Sequence, residues 1–84
     1  MKQAKAARHI RELFAERGVE VVSRRLNLPD GQHWVVFERN GRQVGVDMAS
    51  GIWLRKSTAG GWRCVAMPLS TSGAIMAAEF LCKD

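Results

Sequence analysis

Asn40-Gly41 stands between two runs rich in β-branched and aromatic residues, HWVVFER (33–39) and RQVGVDM (42–48). A two-residue turn of this type needs left-handed backbone at both positions, which Asn-Gly tolerates best, and its twist matches that of two antiparallel strands. The dipeptide therefore predicts a pairing as well as a hairpin. Arg39 faces Arg42, and outward steps add Phe37 with Val44, Val35 with Val46 and His33 with Met48 on one face. On the other face Glu38 meets Gln43, Val36 meets Gly45 and Trp34 meets Asp47. Side chains alternate across a strand, so a slip of one residue would exchange the two faces. The register thus separates an apolar face from one that carries a tryptophan, a bare glycine and a carboxylate.

The same logic extends the sheet. Residues 49–51, ASG, read as a three-residue loop with Gly51 in the left-handed position. Met48 then pairs with Ile52 and Val46 with Leu54 on the apolar face, while Asp47 pairs with Trp53 and Gly45 with Arg55 on the other. A four-residue TAGG loop (58–61) pairs Leu54 with Val65, Ile52 with Met67, Trp53 with Ala66 and Arg55 with Cys64. Trp62 opens this last strand and Pro68 ends it. Upstream, VEVVSRRL (19–26) is a further strand, separated from HWVVFER by NLPDGQ. That stretch is a turn, because proline presets φ, aspartate offers a local acceptor and glycine accepts a left-handed φ.

Helices flank the strands. Residues 3–17, QAKAARHIRELFAER, place Ala6, Ile10, Leu13, Phe14 and Arg17 at spacings of three and four, one stripe of a helix. Gly18 is its C-cap candidate. Lys2, Lys5, Arg8 and Arg11 fall on the exposed side with Glu12 and Glu16 interleaved. A second helix spans 71–82, with Ser70, Thr71 and Ser72 as N-cap candidates, since a short side-chain oxygen accepts an orphan amide. The expected fold class is α+β: an N-terminal helix, an antiparallel meander of about five strands and a C-terminal helix. Residues 1–84 make a single small domain in two layers, with both helices on one sheet face. This order of elements resembles that of double-stranded-RNA-binding domains, whose second helix starts lysine-rich; here STSGAIMAAEF holds no lysine, and strands are in excess.

The second helix is apolar over most of its circumference. Ile75, Ala78 and Cys82 form one stripe, Met76, Phe80 and Lys83 another, and Glu79 marks the polar side. One sheet face cannot cover all of that, which predicts a homodimer with Met76 and Phe80 in or near the contact. The plainer arrangement wedges the helix between the sheet and the first helix, with Phe80 filling the gap.

Composition narrows the function. The longest apolar run, GAIMAA, is too short to span a bilayer, and no apolar segment follows the basic start. A cytoplasmic protein without a membrane partner is expected. Cys64 and Cys82 form no C-x-x-C pair and read as two half-buried reduced thiols. No H-x-x-x-H spacing exists, His33 reads as a structural histidine on the core face, and Asp47 has no acid or base partner in view. Gly60-Gly61 is a turn rather than a phosphate loop, because no helix follows it. These features predict a protein that is not an enzyme, with no catalytic residue, metal site or cofactor. Net charge is +5, of which residues 1–42 carry +4. That excess suits an acidic or nucleic-acid partner, or plain solubility.

The candidate binding residues are Trp34, Asp47, Trp53, Arg55 and Trp62, because the predicted register puts all three tryptophans on the face away from the helices. Tryptophan and arginine are enriched at binding hot spots. Three occupants fit. Aromatic anchors around a central carboxylate with a basic rim fit a protein partner best. Nucleic acid comes second, single strands stacking on the rings with Lys and Arg along the phosphates; the alternative function is thus a nucleic-acid-binding protein that uses the basic first helix and the Trp/Arg sheet face. A small cationic or aromatic ligand comes third. The expected function is a small binding module acting through a protein partner. Its size suits an accessory or inhibitory protein of a mobile element, a match of size rather than of chemistry. Burial of the tryptophan face under a helix or a second copy is the competing arrangement.

Overall fold

Helix α1 (Gln3–Glu16) is followed by strands β1 (Val22–Asn27), β2 (His33–Arg39), β3 (Arg42–Val46), β4 (Ile52–Arg55) and β5 (Arg63–Ala66), and by helix α2 (Thr71–Cys82). The computed structural model describes residues 2–57, 59–66 and 71–83. The strands make one antiparallel sheet in the order β1-β2-β3-β4-β5. Both helices pack on the face of Phe37, Val44, Val46, Ile52 and Leu54, so the fold is the expected two-layer α+β meander.

Local chemistry explains the ends of the elements. Helix α1 stops at Gly18, whose φ of +66° lets its amide donate to Ala15 O at 3.1 Å and the Val19 amide to Phe14 O at 3.3 Å. Val19 and Val21 are drawn onto the core, so β1 begins only at Val22, later than the expected 19–26, where the chain first meets Glu38 of β2. Asn40 and Gly41 take φ of +52° and +79°, the left-handed pair that the β2–β3 turn requires. The ladder from Arg39↔Arg42 to Val35↔Val46 runs in the expected register.

It stops at Val46, and the expected His33–Met48 and Trp34–Asp47 pairs are absent from it. Gln3 of α1 takes that end instead. Its Nε2 donates to His33 O at 2.9 Å and to Val46 O at 3.1 Å, while Met48 is exposed rather than part of the core face. The next register also departs from expectation. Val46 pairs with Ile52, Val44 with Leu54, Gly45 with Trp53 and Gln43 with Arg55. The loop therefore holds five residues, 47–51, and its left-handed residue is Ser50 (φ +66°), not Gly51. Asp47 is the cause: its Oδ1 accepts the amides of Ala49 and Gly51, both at 2.8 Å, and its own amide donates to Gly51 O at 3.0 Å. A short side-chain acceptor closes its own turn and ends the ladder early.

On β5, Trp53 pairs with Cys64 and Leu54 with Arg63, in place of Ala66 and Val65. A bulge between Ile52 and Trp53 brings Ile52 opposite Ala66. Arg55 faces neither Gly45 nor Cys64; its ladder partner is Gln43. For β3–β4, and for Trp53 and Leu54 on β5, the correction is two residues, so these side chains keep their predicted faces. Met67, Pro68 and Ser70 lie outside the described residues.

The core joins Ile10 and Phe14 of α1, Leu81 of α2 and the apolar sheet face, with the Phe14 and Phe37 rings edge-on at 5.7 Å. Burying a side chain of that size contributes about 1.5–3 kcal/mol. The buried seam of α2 is Ala74, Ala77, Ala78 and Leu81, small residues that join Ala6 and Ala7 of α1. Ile75 and Met76 consequently face outward, and Phe80 is half-buried against the core. The C-terminus of α2 is tied to the β2–β3 hairpin. Arg39 Nη1 donates to Leu81 O at 2.9 Å and Arg42 Nη1 to Lys83 O at 2.6 Å, placing cations on the last carbonyls of the helix. Neither Cys64 nor Cys82 forms a disulfide; Cys82 is partly buried, but Cys64 is exposed, because it faces outward on edge strand β5. Among the described residues no helix is long and apolar enough to cross a membrane.

Candidate functional site

The sheet face opposite the helices is assembled strand by strand. By register it receives Val22, Arg24 and Leu26 from β1, Trp34, Val36 and Glu38 from β2, and Gln43 and Gly45 from β3. β4 adds Trp53 and Arg55, and β5 adds Cys64, with Trp62 just before it.

Gly45 explains how three tryptophans fit there. A Cβ built on it would lie 2.8 Å from Cε3 of Trp34 and 3.4 Å from Cζ3 of Trp62. Gly45 is thus the bare backbone on which two rings rest; space rather than an unusual φ demands glycine here. Trp34 stacks on Trp53 with centroids 5.3 Å apart at 27°, and Trp62 meets Trp34 edge-on at 5.4 Å and 69°. Ring pairs of this kind contribute about 0.5–1.5 kcal/mol beyond burial. The Arg55 guanidinium lies 4.4 Å from the centroid of Trp62.

A polar chain runs beside the rings. Arg55 Nε donates to Gln43 Oε1, and Gln43 Nε2 donates to Glu38 Oε1. Arg55 Nη1 reaches Gly60 O at 3.5 Å. Gln43 is fully buried, which is tolerable because both ends of its amide are bonded. At the far end Asp47 Oδ2 accepts the indole N–H of Trp53 at 2.8 Å. With two loop amides on its other oxygen, this carboxylate is 7% exposed and satisfied from inside the protein.

Trp34, Trp53, Trp62 and Arg55 therefore come together in one cluster, and all four side chains are half-buried. Asp47 is attached to that cluster through Trp53 but is not an open carboxylate lying in a cross-strand row between Trp34 and Trp53. Its turn has withdrawn it to the edge. Gln43 belongs to the site and was not among the expected residues. The Asn-Gly register did place Gln43 opposite Glu38, but its bond to Arg55 depends on the five-residue loop, which periodicity does not reveal.

Chemically, the surface offers ring faces, the cations Arg24 and Arg55 and the Glu38 carboxylate, with Arg55 and Glu38 both bonded to Gln43. Val36 and Gly45 are buried although no helix lies over them. Among the described residues no group of three or more His, Cys, Asp or Glu side chains is placed to hold a metal ion. The chain matches no protein-family model, no curated protein and no solved structure.

Proposed function

We propose that this protein is a non-enzymatic binding module that engages a protein partner through the Trp34–Trp53–Trp62 face. The observation that carries this reading is a cluster of three partly buried tryptophans on a sheet face that neither helix covers. The cluster is held in place by Gly45, by the Asp47–Trp53 bond and by Arg55 over Trp62. A surface held rigid before binding loses little freedom on association, which is how aromatic anchors contribute most.

A second reading, single-stranded nucleic acid, draws support from the withdrawal of Asp47. With that carboxylate bonded inside its turn, the acidic group left on this face is Glu38, whose Oε1 already accepts from Gln43, beside the cations Arg24 and Arg55. Salt separates the two readings. Phosphate neutralisation produces a steep loss of affinity with ionic strength, whereas an aromatic-anchored protein contact changes little. The expected result is no shift of single- or double-stranded DNA or RNA at low salt, together with a protein recovered from the native host by the wild type and lost with Trp53→Ala. A salt-sensitive nucleic-acid complex that Trp53→Ala abolishes would replace the first reading with the second.

A further inference from the structure

A second concavity opens on the helix side of the sheet, at the end where β4 turns into β5. It is a cleft of about 300 Å³ between that turn and α2, at the lower end of the about 300–1,000 Å³ usual for small-molecule sites. Leu54 and Phe80 give it an apolar wall, and the Gly60-Gly61 backbone forms the rim. Three cations also line it, Arg55, Lys56 and Arg63, and among the described residues no carboxylate does.

The three cations are not equivalent. Arg55 is held by Gln43 and lies over Trp62, so its charge is fixed on the tryptophan side of the cleft. The side chains of Lys56 and Arg63 make no hydrogen bond or ion pair with any described residue. Charged side chains on an edge strand are often there to discourage edge pairing, and that alone would account for Arg63. It does not account for Lys56 and Arg63 both lining a concavity beside the Phe80 ring. Like charges gathered in a concave site repel one another and focus a positive potential, which an anion relieves.

We propose that this cleft binds a small amphipathic anion: one phosphate or carboxylate group against Lys56 and Arg63, carried on a planar apolar body that packs against Leu54 and Phe80. Both halves of the ligand are required. A bare anion gains only solvated, screened contacts with exposed cations, and a bare ring leaves the positive potential unanswered.

The test is a titration of the isotope-labelled full chain with phenyl phosphate at low ionic strength, read by amide chemical shifts. Inorganic phosphate and benzyl alcohol are the comparison probes. Saturable shifts centred on Gly60, Gly61 and the flanking ends of β4 and β5 are expected, with either comparison probe about tenfold weaker, the scale of one charge-assisted hydrogen bond. The double variant Lys56→Glu, Arg63→Glu should lose about tenfold or more in affinity while keeping the wild-type melting temperature, since both residues are exposed. Trp53→Ala should leave this binding unchanged, which separates the cleft from the tryptophan face. Equal affinity for inorganic phosphate, equal affinity for benzyl alcohol, shifts centred on Trp34 and Trp53, or undiminished binding by the double variant would each overturn the proposal.

Discussion

The two faces of the sheet share every strand yet are closed by different means. On the helix side, Phe37, Val44, Val46, Ile52 and Leu54 are covered by α1 and α2, and nonspecific apolar burial does the work. On the other side the sheet provides its own cover. Trp34 and Trp62 lie over Gly45, Trp53 stacks on Trp34, and each end of the cluster is pinned by a polar contact, Asp47 to Trp53 and Arg55 to Gln43. The first face tolerates any well-packed apolar filling. The second depends on particular atoms: an indole N–H, a carboxylate oxygen and a missing Cβ. Large rings can thus shelter the Gly45 backbone while remaining partly in solvent, so the structural cover and the proposed binding surface are the same residues.

The largest expected effect sharpens this contrast with two neighbouring positions on β4. Leu54→Ala should cost about 2–5 kcal/mol of stability, because it empties part of a helix-covered core. Trp53→Ala should cost about 1–2 kcal/mol, from the lost ring pair and the indole bond to Asp47, and should remove partner binding. Thermal melts of both variants beside a binding assay decide it. Equal losses of melting temperature would show the two faces to be cores of one rank.

Gly45→Ala comes next. Its new methyl meets Trp34 at 2.8 Å, and the half-buried ring must shift. We expect a loss of about 1 kcal/mol, at the low end for overpacking since the ring can move outward. The near-ultraviolet circular dichroism of the stacked tryptophans should change more than the far-ultraviolet signal. An unaltered near-ultraviolet spectrum would mean that the rings do not rest on the glycine.

The smallest effect on folding is expected at Met76, which is exposed on α2. Met76→Ser should alter monomer stability within about 0.5 kcal/mol. If α2 is the contact of a homodimer, with Phe80 at its border, sedimentation should show the wild type associating at micromolar concentration and the variant remaining at the monomer mass. A wild type that stays at the monomer mass as concentration rises removes the dimer and leaves Ile75 and Met76 as solvated surface.

Much of this architecture is legible in the chain itself. Asn40-Gly41 specifies the β2–β3 register because few other dipeptides accept two left-handed residues in a row. Alternation along HWVVFER and IWLRKS assigns Trp34 and Trp53 to one face and Phe37 and Leu54 to the other, and a two-residue shift leaves that assignment intact. The helices follow from the spacing of Ile10 and Phe14 and from the run of small apolar residues that α2 buries. Tertiary structure decided what local pattern leaves open. Asp47 chose to close its own turn rather than extend a ladder, a competition between side-chain and backbone acceptors whose outcome rests on Trp53 and two loop amides meeting it at once. Gln43 became buried only because Arg55 and Glu38 arrived on either side of it. Arg39 and Arg42, unremarkable turn-flanking charges in the chain, found the carbonyls of a helix end some forty residues away. Periodicity records which side a residue faces; only the closed fold determines which distant atom it meets there.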